Sequence, residues 1–147
     1  VQTCALPIWW QNDAIHQRLE SAKREGWAHY LGFVPSDDLP LLFAGARLFV
    51  FPSLYEGFGL PVLEAMSSGI PVVCSNSSSL PEVAGKAALM CEPTDVEALT
   101  ALIQRGLEDE SWRASAMEQG LLHAASFSWE RCAMETLHVY KTVVSGS

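Results

Sequence analysis

Two carboxylates, Glu56 and Glu64, stand eight residues apart, with Gly57 and Gly59 just after the first and Pro61 between them. They belong to SLYEGFGLPVLEAMSSGIPVVCS, residues 53–75, which follows an apolar run and ends in another. In an open parallel α/β sheet, ligands bind beyond the carboxyl ends of the strands, and the segment after RLFVFPS is such a place. Gly57 and Gly59 permit backbone geometries other residues avoid and let a ligand approach closely. A helix starting near Leu60 offers free N–H groups and the positive end of its dipole, which together favour a phosphate. Glu64 lies about one turn into that helix, and helical side chains lean back toward the N-terminus. Its carboxylate can accept hydrogen bonds from hydroxyls at the mouth, and Glu56 can do so from the loop. A phosphate held between two hydroxyl acceptors describes a sugar nucleotide. Plainer roles suit the same residues: Glu64 as a favourable acid near the helix start, the glycines as turn formers. GFGLPV half-matches a dinucleotide fingerprint, but Val62 replaces the last Gly and no acid ends the next strand, so that motif is set aside.

Composition narrows the classes. The chain has 147 residues, 49% of them hydrophobic, and a net charge of −8. That length supports one domain with a real core. No apolar run reaches the length of a membrane span. The acidic balance argues against a nucleic-acid surface, which needs clustered Lys and Arg. A small anion held by backbone amides is still compatible with it. Cys4, Cys74, Cys91 and Cys132 form no C-x-x-C pair, so no metal site is expected. Cys74 and Cys91 sit in apolar runs and read as small core residues of a reducing compartment. His16, His29, His123 and His138 share no ligand spacing. Residues 1–8, VQTCALPI, match no secretory pattern; they resemble the translation of a sequencing adapter and are set apart as an assembly scar.

The elements that must position the glutamates follow from periodicity and punctuation. WWQNDAIHQRLESAKREG reads as a surface helix ending at Gly26. WAHYLGFV reads as a short strand. SDDLPLLFAGA reads as an apolar helix capped by Ser36 or Asp37. RLFVFPS is a buried strand stopped by Pro52. A helix with Pro61 in its first turn and Gly69 at its end comes next. IPVVCS and AALMCEP are strands, separated by SSLPEVAG with one helical turn at most. TDVEALTALIQRGLED opens with Thr94 and Glu97 at capping-box spacing. Two helices follow near 110–125 and 129–144, the last capped by Ser128. Its Trp129, Cys132, Ala133, Leu137, Tyr140 and Val144 mark one face and read as packing. Ser77 to Ser79 suit either a second contact to a ligand or a plain polar loop, and Glu82 reads as a helix-turn acid. Near-continuous apolar strands alternating with helices indicate a Rossmann-like parallel sheet covered on both faces.

The string FVFPSLYEGFGLPVLEAMSSGIPVVCSNSSSLPEVAG resembles the donor-binding signature of the family-four retaining glycosyltransferases. HYLGFVPSDDLPLLFAGA, EPTDVEALTALI and FSWERCAMETLHVY around it are similar to that family too. The resemblance implies the C-terminal, donor-binding half of a GT-B fold, residues 9–147 forming part of it. It implies strand order 3-2-1-4-5-6, with the four strands here as the third to the sixth and the first two absent. Glu56 would then act at the transferred sugar as the catalytic residue, and the amides of Gly57, Phe58, Gly59 and Leu60 would hold phosphate or sugar oxygens. Glu64 would bind the ribose, and Phe33, Val34 and Ser36 would lie near the base. The resemblance implies a nucleotide diphosphate sugar as donor, with GDP-mannose suggested by the overall signature, and retention of anomeric configuration. It implies no metal and no other cofactor, because amides and basic side chains replace the cation.

A glycan or lipid-linked acceptor would bind an N-terminal domain, in a cytoplasmic enzyme able to associate peripherally with the membrane. The family's basic pair matches none of Arg47, Lys86 and Arg105, so the charge stabilisation is incomplete here and the chain alone is expected to be inactive. Two other functions compete. A non-catalytic nucleotide-binding module is favoured by the missing basic pair. A glycoside hydrolase using Glu56 and Glu64 is disfavoured by the glycine-rich mouth, since hydrolases need no phosphate site.

Overall fold

A computed structural model describes residues 13–146. The expected scar at residues 1–8 lies outside the described residues. The chain divides into two compact units, residues 1–47 and 48–147.

The described residues of the first unit form two helices. α1 runs over Asp13–Arg24, with Asp13 in its first turn and Lys23 and Arg24 in its last, each favourable to the helix dipole. Gly26, at φ 82°, turns the chain out of it. Residues 27–34 were expected as a strand but have no strand structure. Strand geometry persists only where a neighbour accepts the ladder hydrogen bonds, and no described segment pairs with WAHYLGFV. α2 spans Leu39–Ala44 with Asp38 at its N-cap position, one or two residues past the expected caps, and no side chain caps it by a hydrogen bond.

The second unit is a three-stranded parallel sheet with five helices. β1 is Phe49–Phe51, β2 Val72–Ser75 and β3 Ala88–Cys91, and their order in the sheet is β1-β2-β3. Phe51 pairs with Cys74, and Cys74 with Met90. β2 is central, and Val72, Val73 and Cys74 are completely buried. Such a strand must be apolar on both faces, which is why VVC reads as a continuous run rather than an alternating one.

Helix α3 (Leu60–Ser67), helix α4 (Leu80–Ala84) and helix α5 (Val96–Glu108) pack on β2. Val62, Ala65 and Met66 from α3 and Leu80, Val83 and Ala84 from α4 form the core with it. α6 (Glu110–Ala124) lies against α3, where Gly120 lets the helices approach: a Cβ there would stand 3.4 Å from Met66 Cγ.

One helix start and one helix face differ from expectation. α5 is capped by Asp95, whose carboxylate accepts from the Ala98 amide at 2.9 Å, and not by Thr94. The cap must lie three residues before the amide it satisfies, and Thr94 is one residue too early for Ala98. α7 (Trp129–Ser145) is capped by Ser128 as expected, through the Arg131 amide. None of its residues is buried, however. Trp129, Leu137, Tyr140 and Val144, expected as packing, are 51–87% exposed. Their helical spacing is real, but among the described residues nothing covers that face.

Candidate functional site

In a parallel sheet, neighbouring strands end on the same side, so the loops that leave them lie side by side. β1 ends at Phe51 and β2 at Ser75, adjacent in the sheet. The loop after β1 carries Glu56, Gly57 and Gly59, and the loop after β2 carries Ser77, Ser78 and Ser79.

The serines hold the first loop by its main chain. Ser75 Oγ donates to the Ser53 carbonyl. Ser77 Oγ reaches the carbonyls of Leu54 at 3.0 Å and Ser53 at 3.2 Å. The Glu56 amide donates to Ser78 Oγ at 2.9 Å. Ser79 Oγ lies 3.1 Å from the Glu56 carbonyl and 2.7 Å from that of Phe58. Ser53 Oγ donates to Glu56 Oε1 at 2.7 Å, which fixes one carboxylate oxygen while the other keeps its lone pairs. Glu56 is half-buried.

The loop enters α3 through Gly59, which takes φ 109° and ψ 39° at the N-cap position. Only glycine adopts that conformation without strain, and a Cβ there would lie 2.6 Å from Leu80 Cδ2. Pro61, in the first turn, contributes no N–H. Among the described residues the amides of Gly57, Phe58, Gly59 and Leu60 donate to no protein group. They stand where the helix dipole is positive. Val62, Leu63, Ala65 and Met66 point into the core, so the outer face of α3 carries Leu60, Glu64 and Ser67. Glu64 is exposed, four residues after Leu60 and on the same side.

The structure therefore brings Glu56, Gly57, Phe58, Gly59, Leu60 and Glu64 together at one mouth. Phe33 and Ser36 are exposed in the first unit, in the stretch before α2, with Val34 between them. A cavity of about 880 Å³ adjoins the mouth, lined by Phe58, Leu60 and Leu63 on one side and by Trp129, Cys132 and Val139 of α7 on the other. Glu56 and Glu64 do not line it. Phe58 packs edge-on against Phe127, and Phe127 against His123, whose Nε2–H donates to the Val83 carbonyl at 2.8 Å. That histidine is a packing residue. Beneath the mouth, burial pushes the Cys74 thiol up to about 12, with Cys91 adding to the rise. A thiol so placed stays neutral and inert, as a core residue should.

The spacing of NSSS is compatible with either a ligand contact or a polar loop. In the structure they lie in the polar loop between β2 and α4, and their hydroxyls grip the neighbouring loop. Nothing in their spacing reveals this, because it depends on β1 and β2 ending side by side.

A parallel sheet with a glycine-shaped, amide-lined mouth at its carboxyl edge defines an α/β protein with the place for a ligand at that edge. The model of the family "Glycosyl transferases group 1" matches residues 11–122, and the chain belongs to that family. Its fold is that of the GT-B glycosyltransferases. It is 56% identical over 132 residues to the O-antigen chain mannosyltransferase B of Escherichia coli, covering 90% of this chain and 35% of that protein. It is 37% identical over 121 residues to the MMP alpha-(1->4)-mannosyltransferase of Mycolicibacterium hassiacum, covering 80% of this chain and 29% of that one. Thus it spans about a third of the length of these two relatives. Among solved structures, sucrose-phosphate synthase from Thermosynechococcus elongatus superposes with a TM-score of 0.78 at 27% identity, covering 99% of this chain and 39% of that one. Anabaena HepE, in complex with UDP and glucose, gives 0.73 at 25% identity, covering 90% and 36%.

Proposed function

We propose that residues 9–147 belong to the donor-binding part of a longer retaining glycosyltransferase, which moves a sugar from a nucleotide diphosphate sugar to a glycan or lipid-linked acceptor. GDP-mannose is the donor favoured by the resemblance to mannosyltransferases, and synthesis of a surface polysaccharide is the setting favoured by the O-antigen relative. The enzyme would work in the cytoplasm. Among the described residues no helix is long and apolar enough to cross a membrane, which leaves a peripheral association open.

The observation that carries this reading is the mouth itself: four undirected amides at the start of α3, flanked by a serine-held carboxylate and a free one. The amides of Gly57 to Leu60 would take the negative oxygens of the diphosphate or sugar. Glu56 would accept hydrogen bonds from hydroxyls of the transferred sugar, and Glu64 from those of the ribose. Phe33, Val34 and Ser36 would border the base. Oriented dipoles act most strongly where charge develops, here on the departing diphosphate. Attack from the same face as departure, with the leaving diphosphate taking the acceptor's proton, accounts for retention. The acceptor and the basic pair would come from the rest of the longer protein.

The test grafts residues 13–146 into the Escherichia coli relative in place of the matching stretch and measures sugar transfer. Losing a charge-assisted hydrogen bond costs roughly 1.5–3 kcal/mol, or about 10- to 150-fold. Glu56→Ala should take that loss mainly in kcat. Glu64→Ala should take it mainly as weaker donor binding. Equal effects from the two variants would overturn the assigned roles.

A further inference from the structure

Ser78 has φ 50°, and among the described residues no other non-glycine residue has positive φ. Such a conformation is strained for a residue with a Cβ and persists only where the surroundings impose it. Its Oγ accepts the Glu56 amide, while the next residue, Ser79, directs its Oγ to the Glu56 and Phe58 carbonyls. Glu56 is thus gripped at its N–H and its C=O by two consecutive side chains of another loop, 22 and 23 residues away in sequence. The carboxylate has its own anchor at Ser53. Fixing both main-chain groups of one residue sets its peptide planes, and so the direction of the following amides as well as of the side chain.

We infer that Ser78 and Ser79 are positioning residues of the donor mouth, which set the orientation of Glu56 and of the amides from Gly57 to Leu60. This rests on the donor reading above. It makes the loop after β2 part of the binding machinery. The strain at Ser78 is the cost of placing an acceptor opposite the Glu56 amide.

The test uses the 147-residue chain, isotope-labelled, with site-resolved amide exchange and titration by GDP and UDP. Ser78→Gly removes the acceptor and relieves the backbone strain, so folding is not at stake. Ser79→Ala removes the donor, and Ser79→Thr restores a hydroxyl. Exchange of the Glu56 amide should accelerate about tenfold in Ser78→Gly, with Val73 and Cys74 unchanged. Nucleotide affinity should fall about five- to tenfold in Ser78→Gly and Ser79→Ala, and return to within about twofold in Ser79→Thr. A residue that only stabilised the fold would leave affinity unmoved in Ser78→Gly. Wild-type affinity in both deleting variants overturns the inference and leaves the donor reading standing. A wild-type chain whose amides from Gly57 to Leu60 ignore both nucleotides overturns the donor reading and the inference with it, even if the exchange result shows the clamp exists.

Discussion

Replacing Gly59 by alanine should destabilise the second unit severely, while the same change at Gly57, two residues earlier, should not. Gly59 has φ 109°, where an L side chain costs about 1–2 kcal/mol. Its Cβ would also meet Leu80 Cδ2 at 2.6 Å and Val83 Cγ1 at 3.8 Å. A leucine methyl at the surface would swing away, but Leu80 is completely buried and has no room to do so. Overpacking of that kind costs about 1–3 kcal/mol. Together the penalties reach about 2–5 kcal/mol, a large part of the 5–15 kcal/mol typical of a whole domain. At a urea slope of about 1.5 kcal/mol/M, the midpoint should fall by about 1–3 M.

Gly57 lies outside the positive-φ glycines, and a Cβ built on it meets nothing within 4 Å. Gly57→Ala should stay within about 0.5 kcal/mol. Adding Leu80→Ala to Gly59→Ala supplies a cycle: the pair should cost less than the sum of the singles, because the truncation empties the space the new methyl needs. Equal midpoints for the two glycine variants, or strictly additive costs with Leu80→Ala, would refute the proposed packing at the start of α3.

Two further outcomes test the local chemistry by urea unfolding and thiol labelling. Asp95→Ala should cost about 1 kcal/mol by removing the α5 cap, while Thr94→Ala should cost under about 0.5 kcal/mol; the reverse order would restore the capping box expected from sequence. Burial raises the Cys74 thiol from 9.0 to about 12, so the unfolded chain releases this proton first and stability from this group is lost as pH rises between those values. Cys74→Ser should flatten that slope. In the native chain a thiol reagent should label exposed Cys132 and spare Cys74 until the protein unfolds.

How much of the fold and site is legible in the sequence depends on whether the cause is local. Glycine at a helix entry followed by proline is a local device, so α3 and its mouth follow from the residues themselves. β2 is legible because a strand covered on both faces must be apolar throughout. WAHYLGFV has the composition of a strand, yet pairing depends on a neighbour that lies elsewhere in the sequence. The apolar face of α7 shows the same limit: periodicity announces a helix and a face, but not what covers it. Capping differs by one residue at Asp95, because Thr94 and Asp95 are both good caps and only the path of the chain chooses between them. The serine clamp is the least visible feature. Its hydrogen bonds join segments some twenty residues apart, and they exist because two parallel strands finish side by side.

The most direct test of the central claim, that residues 56–64 form a nucleotide-sugar donor mouth, is an amide-shift titration of the folded chain with GDP, UDP and ADP. Weak, saturable binding should move the amides of Gly57, Phe58, Gly59 and Leu60 first, then that of Glu64, with one of the three nucleotides preferred. Shifts confined to other parts of the chain while the amides from Gly57 to Leu60 stay still would contradict it.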